Sequence, residues 1–288
     1  MKKTSNYNSG VKTITVVMVA ILVVMAALLI MFIVTFIKEF GAQNTTSFEN
    51  IYLKDNLSSV ILPDTSSQTD TSSEISSEQN SSEQIPPPKN GVVPESEKVL
   101  SSYFSDAVFI GDSITEGIKL YGIMSEATVY SYTGLGLDNI YTKEVIDIGN
   151  GTKIPIMDAV SRSDAKKFYI LVGVNSIQYS KDNFIKKYSA VVDSVKSYHP
   201  NAIIYVQSIT PVAVENSYKL DNETINEYNE ALIEMAQEKD VYYLDIHSAL
   251  ADSTGVLPAN ATTDGLHFGP AYYQKWFDYL KTHTVGEK

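Results

Sequence analysis

Hydrophobic positions fall along this chain in three distinct patterns. Ile14 to Ile37 is an unbroken run of 24 residues without a charge. Asn44 to about Glu97 is the opposite: Ser, Thr, Gln, Asp and Glu dominate, Ser-Ser pairs recur, and Pro86-Pro87-Pro88 comes near its end. From Val99 onward, short apolar runs alternate with longer amphipathic stretches. The short runs are Ala107–Ile110, Thr128–Ser131, Phe168–Val172, Ala202–Gln207 and Val241–Leu244. Brief β-branched and aromatic runs bounded by turns suit buried parallel strands. The amphipathic stretches predict helices over Ser113–Met124, Asp138–Ile148, Lys181–Tyr198, Glu223–Lys239 and Pro270–His283. In the third, Phe184, Ile185, Tyr188, Val191, Val192 and Val195 recur at helical spacing, and His199-Pro200-Asn201 stops it. Pro270 suits a first helical turn, where its missing N–H costs nothing. Strands alternating with helices predict a doubly wound, three-layer α/β/α domain with about five parallel strands.

The patterns also divide the chain. At ~1.5 Å per residue the first run reaches roughly 36 Å, enough for a bilayer core of about 30 Å. Lys2, Lys3 and Lys12 precede it, which predicts a cytoplasmic N-terminus and everything after Lys38 outside. A cleaved signal peptide would have an apolar core of only ~7–15 residues and a small-residue cleavage site, for which Phe40-Gly41-Ala42-Gln43 is a poor candidate. The expected layout is a basic tail (1–13), a membrane helix (14–37), a disordered linker (38–97) and a folded domain (98–288). The linker cannot bury enough apolar surface to offset its chain entropy.

Composition removes several function classes. A net charge of −12 argues against nucleic acid, whose phosphates need a basic face. The absence of Cys excludes disulfides, thiolate zinc sites and cysteine catalysis. No His-Glu-x-x-His and no acidic calcium loop is present, so no metal site is expected.

Candidate chemistry gathers in three places. Gly111-Asp112-Ser113 directly follows the first strand, which puts a serine at the carboxyl end of the sheet, where ligands bind in open α/β folds. Ser113 is a candidate nucleophile, and it could equally cap a helix. Asp264-Gly265-Leu266-His267 places a carboxylate and an imidazole three residues apart, a base and its orienting partner. His247, with Asp245, is the fallback base; His199 and His283 suit structural roles. Gly173-Val174-Asn175 again follows a strand-like run. Asp112 suits a hydrogen bond that holds the turn, and Glu116 a solvated face. Tyr121, Tyr132, Tyr179 and Phe268 lie near the expected mouth, and Trp276 suits the core.

In this order, Gly111-Asp112-Ser113, Tyr132-Thr133-Gly134-Leu135-Gly136, Gly173-Val174-Asn175-Ser176 and Asp264-x-x-His267 resemble the four sequence blocks of the SGNH (GDSL-type) hydrolases, over about residues 104–283. One departure is plain: the family's third block usually carries Asp after its Asn, where this chain has Ser176. The resemblance implies a serine ester hydrolase with Ser113, Asp264 and His267 as catalytic residues and no cofactor. It also implies an oxyanion hole formed by the N–H of Ser113, the N–H of Gly134 and the amide of Asn175; Gly136 could exchange roles with Gly134. The expected activity is that of a membrane-anchored extracellular esterase acting on acyl esters, O-acetyl groups of polysaccharide foremost. A lipase or lysophospholipase, an acyltransferase and a non-catalytic glycan-binding module are the alternatives. The absence of a Gly-x-Ser-x-Gly elbow around Ser113 disfavours the ordinary α/β-hydrolase fold.

Overall fold

The computed structural model describes residues 91–286. The basic tail, the expected membrane helix and residues 38–90 of the expected linker lie outside the described residues. Among the described residues, no helix is long and apolar enough to cross a membrane.

Five parallel strands form the sheet: β1 (Ala107–Gly111), β2 (Thr128–Ser131), β5 (Lys167–Leu171), β6 (Ile203–Gln207) and β7 (Tyr242–Leu244), in the order β2-β1-β5-β6-β7. Between β2 and β5 lies a separate antiparallel pair, β3 (Glu144–Asp147) and β4 (Lys153–Pro155). The helices are α1 (Ser113–Leu120), α2 (Ile156–Ser161), α3 (Lys181–Tyr198), α4 (Asn222–Glu238), α5 (Ile246–Leu250) and α6 (Pro270–Lys281). All five expected strands form, each within one residue of its expected ends.

The central strands are buried along their whole length, as a parallel sheet covered on both faces requires. Consecutive side chains point to opposite faces. Phe109, Tyr169 and Tyr205 stand in register on one face, their rings stacked with centroids 4.5 Å apart. Phe104 packs on this row and carries it to Phe277 of α6. Phe168, on the other face, stacks on His199 at the end of α3. Helices α2, α3 and α4 pack in succession on that side. Tyr273 of α6 ties the opposite layer together by donating to the Ile114 carbonyl of α1, 2.7 Å away. Trp276 is fully buried and donates to Gln207 at the end of β6.

The chain runs outward from β1 to β2 and then returns to place β5 on the other side of β1. The reversal makes the carboxyl ends of β1 and β5 a topological switch point, where open α/β sheets leave a crevice.

Two expectations are corrected. Asp138–Ile148 is not a helix. Asn139 organises a turn over its first half, and the β-branched pair Val145-Ile146 then enters β3. Gly149, Asn150 and Gly151 all adopt positive φ, which turns the chain into β4. Local turn chemistry and β-branching override a helical spacing. The domain also begins before residue 98. Val92 bridges to Tyr243, Val93 is buried and donates to the Tyr243 carbonyl, and Ser96 and Val99 bond to the end of α6. These residues cover the outer edge of β7, which would otherwise leave ladder groups unpaired.

Candidate active site

The strand β1 delivers Gly111-Asp112-Ser113 to the switch point. Asp112, not Ser113, caps α1: its Oδ1 accepts the Ile114 N–H at 3.0 Å. The serine hydroxyl is thereby left for other work. Its Oγ lies 2.8 Å from Nε2 of His267, and Nδ1 of His267 lies 2.7 Å from Oδ2 of Asp264. In the tautomer that this geometry favours, Nδ1–H donates to the carboxylate and Nε2 accepts from the serine.

The Asp264–His267 turn is built locally. Oδ1 of Asp264 accepts the N–H of Leu266 (3.0 Å) and of His267 (2.8 Å), and the Thr262 hydroxyl stands 3.3 Å away. Partial burial pushes this carboxyl up, but the bond from the His267 ring and the two backbone N–H donors outweigh it and hold it well below the usual carboxylate range. Asp264 therefore faces the imidazole as an anion near neutral pH. Asp112 differs. It is wholly buried, its Oδ2 has no hydrogen-bond partner among the described residues, and burial pushes its carboxyl up to about 7 against the Ile114 N–H and the nearby His267.

The other half of the site is loop 132–137. Gly134 sits at φ +77° with open space where a side chain would be, and its N–H donates to no group of the described protein. The N–H of Gly136 is taken by Oδ1 of Asn139, so Gly134 is the glycine with a free donor. Asn175 follows β5 and uses its Nδ2 to hold the Leu135 carbonyl at 2.9 Å, leaving one amide hydrogen over. Ser176, in place of the family's Asp, accepts the Leu137 N–H at 2.9 Å. On the far side, the Thr133 hydroxyl donates to Glu116 of α1. At the start of α1 the Ser113 N–H is likewise unpaired and sits at the positive end of the helix.

The fallback residues go elsewhere. His247 is buried with Nδ1 toward the Ile209 carbonyl, and burial pushes its imidazole down. Asp245 caps α5 through the Ser248 N–H. His199 and His283 bond to the Val160 and Tyr279 carbonyls. Phe268 is buried against Tyr273, and Tyr121 packs on the same ring. Tyr132 lies under the Lys143 ammonium and Tyr179 under that of Lys187.

Sequence reasoning missed Tyr218 and Asn216, in the loop between β6 and α4. Ala213 and Ser217 of this loop donate backbone bonds to the Gly265 and Asp264 carbonyls. The Tyr218 hydroxyl reaches Oδ2 of Asp264 at 3.2 Å. Neither residue belongs to a motif; only the chain's return to the Asp264 turn reveals them.

A family model described as GDSL-like lipase/acylhydrolase matches residues 109–275. Among solved structures, a Streptococcus pneumonia protein provisionally named as a platelet activating factor is 24% identical, with a TM-score of 0.51 over 63% of this chain and 87% of its own. A GDSL-like lipase from Bacteroides thetaiotaomicron is 16% identical (TM-score 0.46; 61% and 85% covered). A Geobacillus acetyl-xylooligosaccharide esterase is 15% identical (TM-score 0.44; 67% and 96% covered). At 24% identity and a TM-score of 0.51, the likeness to the first of these is one of fold. No curated protein sequence matches the chain.

Proposed function

The chain belongs to the GDSL-like lipase/acylhydrolase family and is a serine ester hydrolase, and from that premise we propose that it removes short acyl groups, O-acetyl foremost, from polysaccharide outside the cell membrane through an acyl-enzyme on Ser113. The observation that carries the catalytic part is the continuous hydrogen-bonded line from Ser113 Oγ through His267 to Asp264. As Oγ bonds to the ester carbon, its proton passes to Nε2, and Asp264 stabilises the imidazolium that forms. The negative charge that develops on the carbonyl oxygen is met by the N–H of Ser113, the N–H of Gly134 and the Asn175 amide. Collapse breaks the ester C–O bond, and His267 returns the proton to the departing alcohol. Water then repeats the sequence on the acyl-enzyme and releases the acid.

The preference for a short acyl group rests on exposure. Gly134, Asn175 and Tyr218 all face solvent around Ser113 and His267. An open, polar rim of this kind suits a small acyl group on a bulky hydrophilic carrier; a long chain needs a sheltered apolar groove. One observation favours the lipase reading: Val214, next to the residue bonded to Gly265, is 77% exposed and offers an apolar contact. The location outside the membrane rests on the charge-free run 14–37 behind Lys2, Lys3 and Lys12.

The full chain should release acetate from acetylated polysaccharide, and its kcat/KM on p-nitrophenyl esters should fall as the acyl chain lengthens from acetyl to octanoyl. A profile that rises toward octanoyl would replace this reading with the lipase.

A further inference from the structure

We propose that Tyr218 is a positioning residue that shares the charge of Asp264 and so sets how strongly the carboxylate holds the His267 imidazolium. The proposal rests on the reading of Ser113, His267 and Asp264 given above. The Tyr218 hydroxyl donates to Oδ2 of Asp264, the same oxygen that receives Nδ1–H of His267, and stands 3.4 Å from Nδ1 itself. Its ring meets the imidazole edge to face, centroids 5.8 Å apart at 72°. All of this happens on the Nδ1 side of the ring, away from Ser113, so Tyr218 does not touch the reacting atoms.

The placement is built rather than incidental to an exposed side chain. Oδ1 of Asn216 accepts the N–H of Tyr218 and of Leu220, while its Nδ2 donates to the Ala213 and Leu220 carbonyls. The loop so formed docks on the turn through the two backbone bonds to Asp264 and Gly265. Gly265 adopts φ +85°, and a Cβ there would lie 2.3 Å from Cβ of Asn216. The phenol and the carboxylate are thus carried by one hydrogen-bonded unit. Burial and the adjacent Asp264 charge push the phenol up, so it stays a donor throughout the working pH range.

The consequence follows from charge sharing. A carboxylate that already accepts from a phenol stabilises the neighbouring imidazolium less than one that does not. The titratable groups around His267 are Asp264 on its own turn, Tyr218 from the docked loop and the buried Asp112 from the start of α1. Removing the hydroxyl while keeping the ring should strengthen the hydrogen bond between His267 and Asp264. Because catalysis needs the neutral imidazole, the acid limb of the rate profile should move to higher pH.

Full-length wild type and Tyr218→Phe would be compared by low-field proton NMR of the His267 Nδ1–H and by the pH dependence of kcat/KM on p-nitrophenyl acetate. In the Phe variant the Nδ1–H resonance should move further downfield and the acid limb should rise by roughly 0.3 to 0.5 pH unit. Tyr218→Ala, which also removes the ring, should lower kcat about tenfold with KM nearly unchanged. A resonance and a pH limb that both stay in place in the Phe variant would overturn the proposal. So would a change confined to KM, which would make Tyr218 a substrate contact. Because the resonance is read without substrate, it tests Tyr218 even if Ser113→Ala leaves the esterase rate unchanged, a result that would refute the reading of the site instead.

Discussion

Loop 132–137, which carries the Gly134 N–H, is pinned by side chains that reach its backbone and rim from three places: Asn175 and Ser176 after β5, Glu116 of α1, and Asn139 just beyond the loop. The Asp264–His267 turn is fastened differently. Its outer support is the backbone of another loop, joined through two main-chain bonds and a contact at Gly265 that leaves no space for a side chain. In the proposed mechanism the charge-stabilising half of the site therefore rests on several separable contacts. The proton-transfer half rests on a close backbone approach that has no substitute. The two halves should consequently differ in how they fail.

The largest effects test the chemistry of each half. His267→Ala removes the proposed base and should lower kcat by roughly 10⁴-fold or more, because a base and its nucleophile act as a unit. Asn175→Ala removes one proposed oxyanion donor and should cost about 10²- to 10³-fold in kcat with little change in KM. Stopped assays on p-nitrophenyl acetate separate the two, and equal losses would erase the distinction between base and donor.

Smaller in effect, but more telling for the comparison, are the two glycines. Gly134→Ala meets only the cost of a left-handed backbone, about 1–2 kcal/mol, because nothing lies within 4 Å of the new Cβ. Gly265→Ala meets that cost and also drives a Cβ into Asn216 and the Glu215 carbonyl at 2.3 and 2.5 Å. It should be the more destabilising of the two in urea unfolding and should lower kcat by displacing His267. Similar unfolding midpoints for the two variants would mean that the halves are not fastened differently.

The last effect is read only as pH changes and concerns Asp112, the residue before Ser113. Its folded-state carboxyl is pushed up to about 7, above its value in the unfolded chain. Its contribution to stability is therefore full below the unfolded value and is lost as pH rises through about 7. Asp112→Asn keeps the acceptor for the Ile114 N–H but does not ionise. The gap in unfolding midpoint between this variant and wild type should grow in the variant's favour from about pH 5 to about pH 8. A constant gap would show that Asp112 does not change charge there.

The same comparison explains what was legible beforehand. The five strands were readable because buried parallel strands must be short and apolar, as Ala107-Val108-Phe109-Ile110 shows. The candidate residues Ser113, Gly134, Asn175, Asp264 and His267 stand out in the sequence because each lies within a few residues of a strand end or within a short local turn. Asp138–Ile148 was misread because its helical spacing conceals a hairpin whose turn, Gly149-Asn150-Gly151, lies just beyond it. The role of Ser176 in holding the Leu137 N–H could be suspected only as a departure from the family block. Tyr218 left no trace, since its partner Asp264 is 46 residues away and only the folded loop brings them together. Residues 91–97 were hidden by their continuity with a polar segment, although Val92 and Val93 close the edge of β7.

The central claim is that His267, aligned by Asp264, makes Ser113 a nucleophile. Intact mass of the full chain after treatment with a fluorophosphonate tests it most directly, with Ser113→Ala and His267→Ala alongside. The account predicts a single adduct on wild type, none on Ser113→Ala and much slower labelling of His267→Ala. A folded wild type that takes no adduct, or an adduct that persists in Ser113→Ala, would contradict it.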